Sequence, residues 1–166
     1  MTMNLSKRTV SRTLKAFAHL PRLPDGRIDY SRSDRAPVVT CFVKFQGKIL
    51  LLKRSDRVRT YRGKWSAVAG YLDEPVSIRA KALKELEEEL EIPPSEVVRV
   101  RTAPPYEFFD PEAKKSWLVH PVLVEVRRKP EIKLDWEHTE WRWILPHEMA
   151  RYDTVPKLEE SLRRVI

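Results

Sequence analysis

A chain of 166 residues, 42% apolar and 34% charged, is sized for one globular domain with a core that needs no staples, which excludes wholesale disorder. No apolar run approaches the roughly 18 residues of a membrane span, the basic start MTMNLSKRTVSRTLKAF lacks the apolar stretch of a secretory signal, and a single cysteine, Cys41, excludes an internal disulfide or a multi-thiolate zinc site; the expectation is a cytoplasmic protein with no membrane partner. The net charge of +8 favours nucleotides, phosphorylated metabolites or RNA, and the scarcity of amide side chains (Asn4 and Gln46 only) among abundant Arg, Lys and Glu reads as thermophilic.

Residues 1–36 read as a basic extension, with eight basic residues against three acidic. Ser6 to about His19 predicts a short helix, with Val10, Leu14 and Phe17 at helical spacing and Lys7, Arg8, Arg12 and Lys15 around the rest. The turn-rich stretch LPRLPDGRIDYSRSDRAP follows as irregular chain. The extension is expected to clamp onto the core as a solvated helix. The alternatives are an arm that contacts RNA or one that pairs subunits in a homodimer.

The domain proper runs over 37–166. Val38–Phe45 predicts a strand, Gln46-Gly47 a turn, and Lys48–Lys53 the returning strand of a hairpin. RSDRVRTYRGK is a basic loop and WSAVAGYL a short strand. A helix is predicted from Glu74-Pro75 to about Glu91, stopped by Pro93-Pro94. Val97–Arg101 then reads as a strand, APPYEFFDPEAKK as a loop and SWLVHPVLVEV as a long strand. After RRKPEIKLDWEHTE, Trp141–Ile144 makes a last strand; a short helix near Glu148 and an amphipathic helix over Val155–Ile166 close the chain. Strands mixed irregularly with a few helices point to an α/β (α+β) fold, a mixed sheet in an α/β/α sandwich.

The predicted helix contains ALKELEEEL, 82–90, with four glutamates in nine residues. On a wheel of about 100° per residue, Glu85, Glu88 and Glu89 converge. Leu83, Leu86 and Leu90 form the neighbouring apolar face, and Glu87, Glu91 and Lys84 turn to water. Carboxylates crowded beside a buried face repel. Lys81 with Glu85 and Lys84 with Glu88 offer only the weaker, Lys-first order of pairing. A hard divalent cation, Mg²⁺ or Mn²⁺, would relieve the repulsion; the alternative is an ordinary solvated acidic face.

Residues 70–92, GYLDEPVSIRAKALKELEEELEI, resemble the Nudix box, G-x5-E-x7-R-E-U-x-E-E-x-G-U with U a bulky aliphatic residue. Gly70, Glu85, Leu86, Glu88, Glu89 and Ile92 match, whereas Val76 replaces the first glutamate, Lys84 the arginine and Glu91 the glycine. GKILLLKRS, GKWSAVAGYLDEP and WEHTEWRWILPHEM extend the likeness over roughly 37–166. SWLVHPVLVEV with KLDWEHTEWRW is similar to a mainly archaeal group of the family. The resemblance implies a Nudix-type fold and a hydrolase that cleaves the pyrophosphate bond of nucleoside diphosphate derivatives with Mg²⁺ or Mn²⁺. It implies Glu85, Glu88 and Glu89 as metal ligands, with Glu85 and Glu88 in the catalytic set. The general base would be Glu140 or Glu137, with Glu140 slightly favoured because it directly precedes the predicted strand, and Glu74 is a candidate substitute for the carboxylate lost at 76.

Local chemistry adds a phosphate-binding expectation. Lys53–Lys64 carries six basic residues against one acidic, just upstream of Gly70, and Arg54, Arg62 and Lys64 are its leading candidates. Tyr61, Trp65, Phe108, Phe109 and Trp117 are rings for a base or for the core. His120, inside an apolar run, faces either core or pocket. Val76 and the basic charge motivate the alternative function, a catalytically weak or inactive module of the same fold that binds nucleotide or RNA.

Overall fold

The computed structural model of the chain describes residues 4–166; Met1–Met3 of the expected extension lie outside them. After a helix, α1 (Asn4–Ala16), the chain enters β1 (Arg35–Phe45) and β2 (Lys48–Arg54). Gln46 and Gly47 both take positive φ, 47° and 78°, the tight turn whose twist matches that of the strands it joins. β1 and β2 pair only beside this turn, at Lys44↔Ile49 and Phe45↔Lys48. They then diverge, and β3 (Trp65–Ser66) and β4 (Val68–Tyr71) fill the gap, β3 against β2 and β4 against β1. The strand expected over WSAVAGYL is therefore two, divided at Ala67 where the chain changes partner.

On its other edge β1 runs parallel to β7 (Lys115–Val126), whose outer edge takes β6 (Tyr106–Asp110) and then β5 (Val97–Thr102). Pro121 sits where that neighbour changes. Its missing N–H removes no ladder bond there, and its carbonyl accepts from Ala103 N at 3.2 Å. β6 corrects the expectation of a loop over APPYEFFDPEAKK. Its flanking prolines obscure a period-two strand in which Tyr106 and Phe108 pack inward and Glu107 and Phe109 stay exposed. β8 (His138–Ile144) completes the sheet beside β2, starting three residues earlier than expected.

Alternate residues of the central strands serve opposite layers, as period two demands. Cys41, Val43, Leu50 and Leu52 pack under α2 (Ile78–Leu90) with Ala82, Leu86 and Leu90. Phe42, Ile49 and Leu51 pack under α3 (Leu158–Val165) with Leu158, Leu162 and Val165. Each such fully buried side chain contributes about 1.5–3 kcal/mol. The result is the expected helix–sheet–helix sandwich. The turn near Glu148 is 3-10 in geometry, over Pro146–Arg151. Among the described residues no helix is long and apolar enough to cross a membrane.

α2 begins at Ile78 rather than at Glu74-Pro75. The Ser77 hydroxyl accepts from Ala80 N at 3.0 Å, fixing the first turn there. The chain before β1 is bound into the same corner. Phe17, Ile28 and Tyr30 pack with Ala36, Trp117 and Val119, while Ile28 N donates to Asp73 O (3.0 Å) and Tyr30 OH to Leu72 O (2.6 Å).

Candidate active site

β4 and α2 meet at one wall of a cavity of about 450 Å³. A Cβ at Gly70 would fall 2.5 Å from Glu85 Oε1; only glycine lets that carboxylate lie against the strand. Lys81, Glu85 and Glu89 form an i,i+4 row of charged side chains turned inward, all buried. Glu88, one wheel position away, stays at the rim with its side chain 56% exposed and Lys84 Nζ at 4.0 Å. The wheel had grouped Glu88 with Glu85 and Glu89; burial separates it.

Lys81 Nζ lies 2.9 Å from Glu85 Oε1 and 3.2 Å from Asp73 Oδ1. Burial pulls the lysine towards neutrality, but Glu85 and Asp73 outweigh it and hold the ammonium above its usual range. Burial raises Glu85, and Lys81 limits the rise. Glu89 is pushed well above the carboxylate range, first by burial and then by Glu137 and Glu85 beside it.

Across from α2, a β-bulge sets the distal group. β2 pairs Lys53↔Glu140 and Arg54↔His138, so one step on β2 spans two on β8. The bulge reverses the alternation, and bulges re-aim side chains in this way. Glu140 therefore shares a face with Lys53, 3.3 Å away, while His138 turns into the interior beside Arg54. Burial lowers His138 and keeps the imidazole neutral at pH 7. Burial and the neighbouring Asp135 raise Glu137 to about 7. Glu89 Oε2 and His138 Nδ1 are buried 4.0 Å apart, and neither has a hydrogen-bond partner among the described residues. Glu89, Glu137 and His138 each offer a donor atom within 4.8 Å of the others. Two carboxylates and an imidazole nitrogen around buried, unpartnered atoms are a donor set that fits a divalent cation.

The cavity is lined by Arg54, Tyr61, Gly70, Glu85, Glu88 and Glu137, which brings together six of the residues singled out in the sequence. Arg54 is braced by Thr60, through Nε to the carbonyl (3.0 Å) and Nη2 to the hydroxyl (3.3 Å). Phe108 and Trp117, two of the candidate rings, also line the cavity while packing in the core; other candidates point elsewhere. Arg62 binds Val58 O at 2.8 Å, Lys64 pairs with Asp153 at 2.9 Å, and Glu140 faces Lys53 on the other side of the sheet. His120 is 1% exposed with Nδ1 3.3 Å from Val38 O, and lies in the strand interior rather than on the lining. Phe109 is 62% exposed and outside the lining, and Trp65 packs on Tyr152.

Sequence reasoning passed over Arg27, Tyr71 and Trp136 on the cavity wall, and counted Arg59 in the basic loop without ranking it among the leading candidates. Arg27 comes from the extension and pairs with Asp73 at 3.4 Å, a contact no local pattern announces. Tyr71 adjoins Gly70, and Trp136 adjoins Glu137, so proximity to residues already singled out was the available signal. Val76 lines a separate cleft with Val10 and Leu14 of α1. The carboxylate that pairs with Lys84 is instead Glu74, 2.8 Å from its Nζ.

The NUDIX domain family model matches residues 34–165. A nucleoside triphosphatase NudI of Escherichia coli is 23% identical over 136 residues, covering 76% of this chain and 93% of the relative. The MutT protein of Methanosarcina mazei Go1 superposes with a TM-score of 0.64 at 23% identity, over 80% of this chain and 94% of that one. An Ap4A hydrolase of C. elegans does so with a TM-score of 0.57 at 19% identity, over 78% and 93%. These structures share the fold. The expected tie to a mainly archaeal group finds no support, since curated relatives at this similarity come from Escherichia and Shigella.

Proposed function

The chain belongs to the NUDIX family and is a Nudix pyrophosphatase, and we propose that it cleaves a nucleoside di- or triphosphate derivative with Mg²⁺ or Mn²⁺ held by Glu85 and Glu89. One observation carries this reading: the buried Glu85–Glu89 row brings Glu89 beside Glu137 and His138, and Glu85 and Glu137 line a cavity whose wall also bears Arg54 and Arg59. The Escherichia coli relative, a nucleoside triphosphatase, supports a nucleotide as substrate.

When bound, the cation neutralises non-bridging phosphate oxygens and acidifies a water. The chain's own groups do the rest. Arg54, fixed by Thr60, presents its guanidinium to the phosphates, and Arg59 adds charge from the same loop. Tyr71 and Trp136, 39% and 52% exposed on the cavity wall, offer apolar surface to a base. Glu88, whose exposed carboxylate reaches the cavity, takes the proton of the attacking water. Glu140, on the opposite side of the sheet, has no part in this.

A panel of nucleoside triphosphates, ADP-ribose, dinucleoside polyphosphates and nucleotide sugars, assayed with Mg²⁺ and with Mn²⁺, tests the proposal. The expected outcome is metal-dependent release of phosphate-containing products from at least one class. Tight nucleotide binding with no turnover under either metal would instead assign the chain to the binding-only alternative.

A further inference from the structure

The reading above leaves open which cation the site selects, and the inference that follows rests on that reading. Glu89 Oε2 and His138 Nδ1 are the relevant atoms, on side chains only 3% and 2% exposed. Leaving two such atoms unpaired carries the desolvation cost of each with no bond in return. Donor atoms bound to one ion at about 2.0–2.2 Å lie at most about 4.0–4.4 Å apart. The 4.0 Å separation of Glu89 Oε2 and His138 Nδ1 falls within that reach. The Glu137 carboxylate, within 4.8 Å, needs only a small closure to join them. Asp135 Oδ1 also lies 3.4 Å from Nδ1, but their arrangement makes no hydrogen bond, and among the described residues Nδ1 has no hydrogen-bond partner.

A bridging water would satisfy both atoms, yet it would leave the repulsion between Glu89 and Glu137 with no cation to offset it. We propose that His138, through Nδ1, joins Glu89 and Glu137 as a ligand of a cation site that takes a first-row transition ion, such as Mn²⁺, Co²⁺ or Zn²⁺, in preference to Mg²⁺. Imidazole nitrogen suits those ions, whereas Mg²⁺ seeks oxygen and keeps several waters. The bulge between β2 and β8 is the device that delivers the nitrogen.

Pulsed EPR of the full chain loaded with Mn²⁺ reads the bond directly. The expected result is the ¹⁴N modulation of a coordinated imidazole, absent in His138→Gln. Calorimetric titration should show Co²⁺ affinity falling at least about tenfold in that variant, with Mg²⁺ affinity changed by less than about twofold. Bound Mn²⁺ without ¹⁴N modulation, as a bridging water predicts, or a parallel loss for Co²⁺ and Mg²⁺, overturns the proposal. The wild-type spectrum decides even where His138→Gln fails to fold. Absence of hydrolysis in the substrate panel would overturn the pyrophosphatase reading and leave the nitrogen signal standing.

Discussion

Lys81 and Glu137 set the electrostatics of the site from opposite ends. Lys81 is a buried cation beside Glu85 and Asp73, so part of the negative charge is matched before any metal arrives. At Glu137 burial and Asp135 outweigh the attraction of Arg54, and its carboxyl is raised to about 7 from an ordinary 4.5. Between those values the folded state binds more protons than the unfolded one, so this group's contribution to stability falls as pH rises. His138 and His120, lowered by burial, act in the opposite sense below about pH 6.5. The contribution of Glu137 is therefore read as a difference between variant and parent. Metal-free Glu137→Gln should gain stability relative to wild type as pH goes from 5 to 8, measured by urea unfolding in EDTA. A difference independent of pH would contradict the assignment. Since a bound ion needs the carboxylate form, stabilisation by Mn²⁺ should also be larger at pH 8 than at pH 5.

At the scale of elements, α2 shows both what a pattern reveals and what it hides. The i,i+3,i+4 rule placed Glu85 and Glu89 together, and the match of Gly70 to the box is explained by the contact its missing Cβ permits. The same rule could not separate Glu88, because burial depends on how far the helix axis tilts over the sheet. Nor could strand alternation distinguish His138 from Glu140: a bulge is a pairing event between β2 and β8, invisible in either strand alone. β6 was hidden by its prolines, and the start of α2 by the apparent fitness of Pro75 as a first-turn residue. The helix's other end carries a quantitative consequence. Glu91, where the box has glycine, is left-handed at φ 55° and ψ 33°, and Ile92 N closes the turn on Leu86 O at 3.3 Å. A side chain there costs about 1–2 kcal/mol, of which glycine's greater freedom in the unfolded chain returns about 0.4–1. Glu91→Gly should therefore stabilise by roughly 0.5–1 kcal/mol, despite loss of the exposed pair with Lys133. Chemical denaturation checks this; a destabilised variant would refute the cap argument.

Across the whole molecule, the extension and the box are exchanged parts of one design. Val76 gives up a carboxylate and faces Val10 and Leu14 of α1, while Glu74 supplies the pairing with Lys84. Arg27 and Tyr30 carry the extension to the rim of the cavity through Asp73 and Leu72. The surface is laced with ion pairs, among them Arg35–Glu107, Arg128–Glu96 and Arg164–Glu160. Singly, exposed pairs contribute about 0–1 kcal/mol, but the desolvation cost of charge falls with temperature. Together with the near absence of amides, this predicts a thermal midpoint above the roughly 45–65 °C of mesophilic domains. Calorimetry giving a midpoint inside that range would remove the thermophilic reading.

In the proposed reaction Glu88 acts on a water beside a cation held by its buried neighbours. Turnover of the best nucleotide substrate by wild type and by Glu88→Gln, with nucleotide affinity measured in parallel, tests that role most directly. The predicted result is a fall in kcat of about 10²–10⁴-fold, with nucleotide affinity little changed and wild-type activity abolished by EDTA. Equal turnover by Glu88→Gln, or wild-type hydrolysis that persists in EDTA, would contradict it.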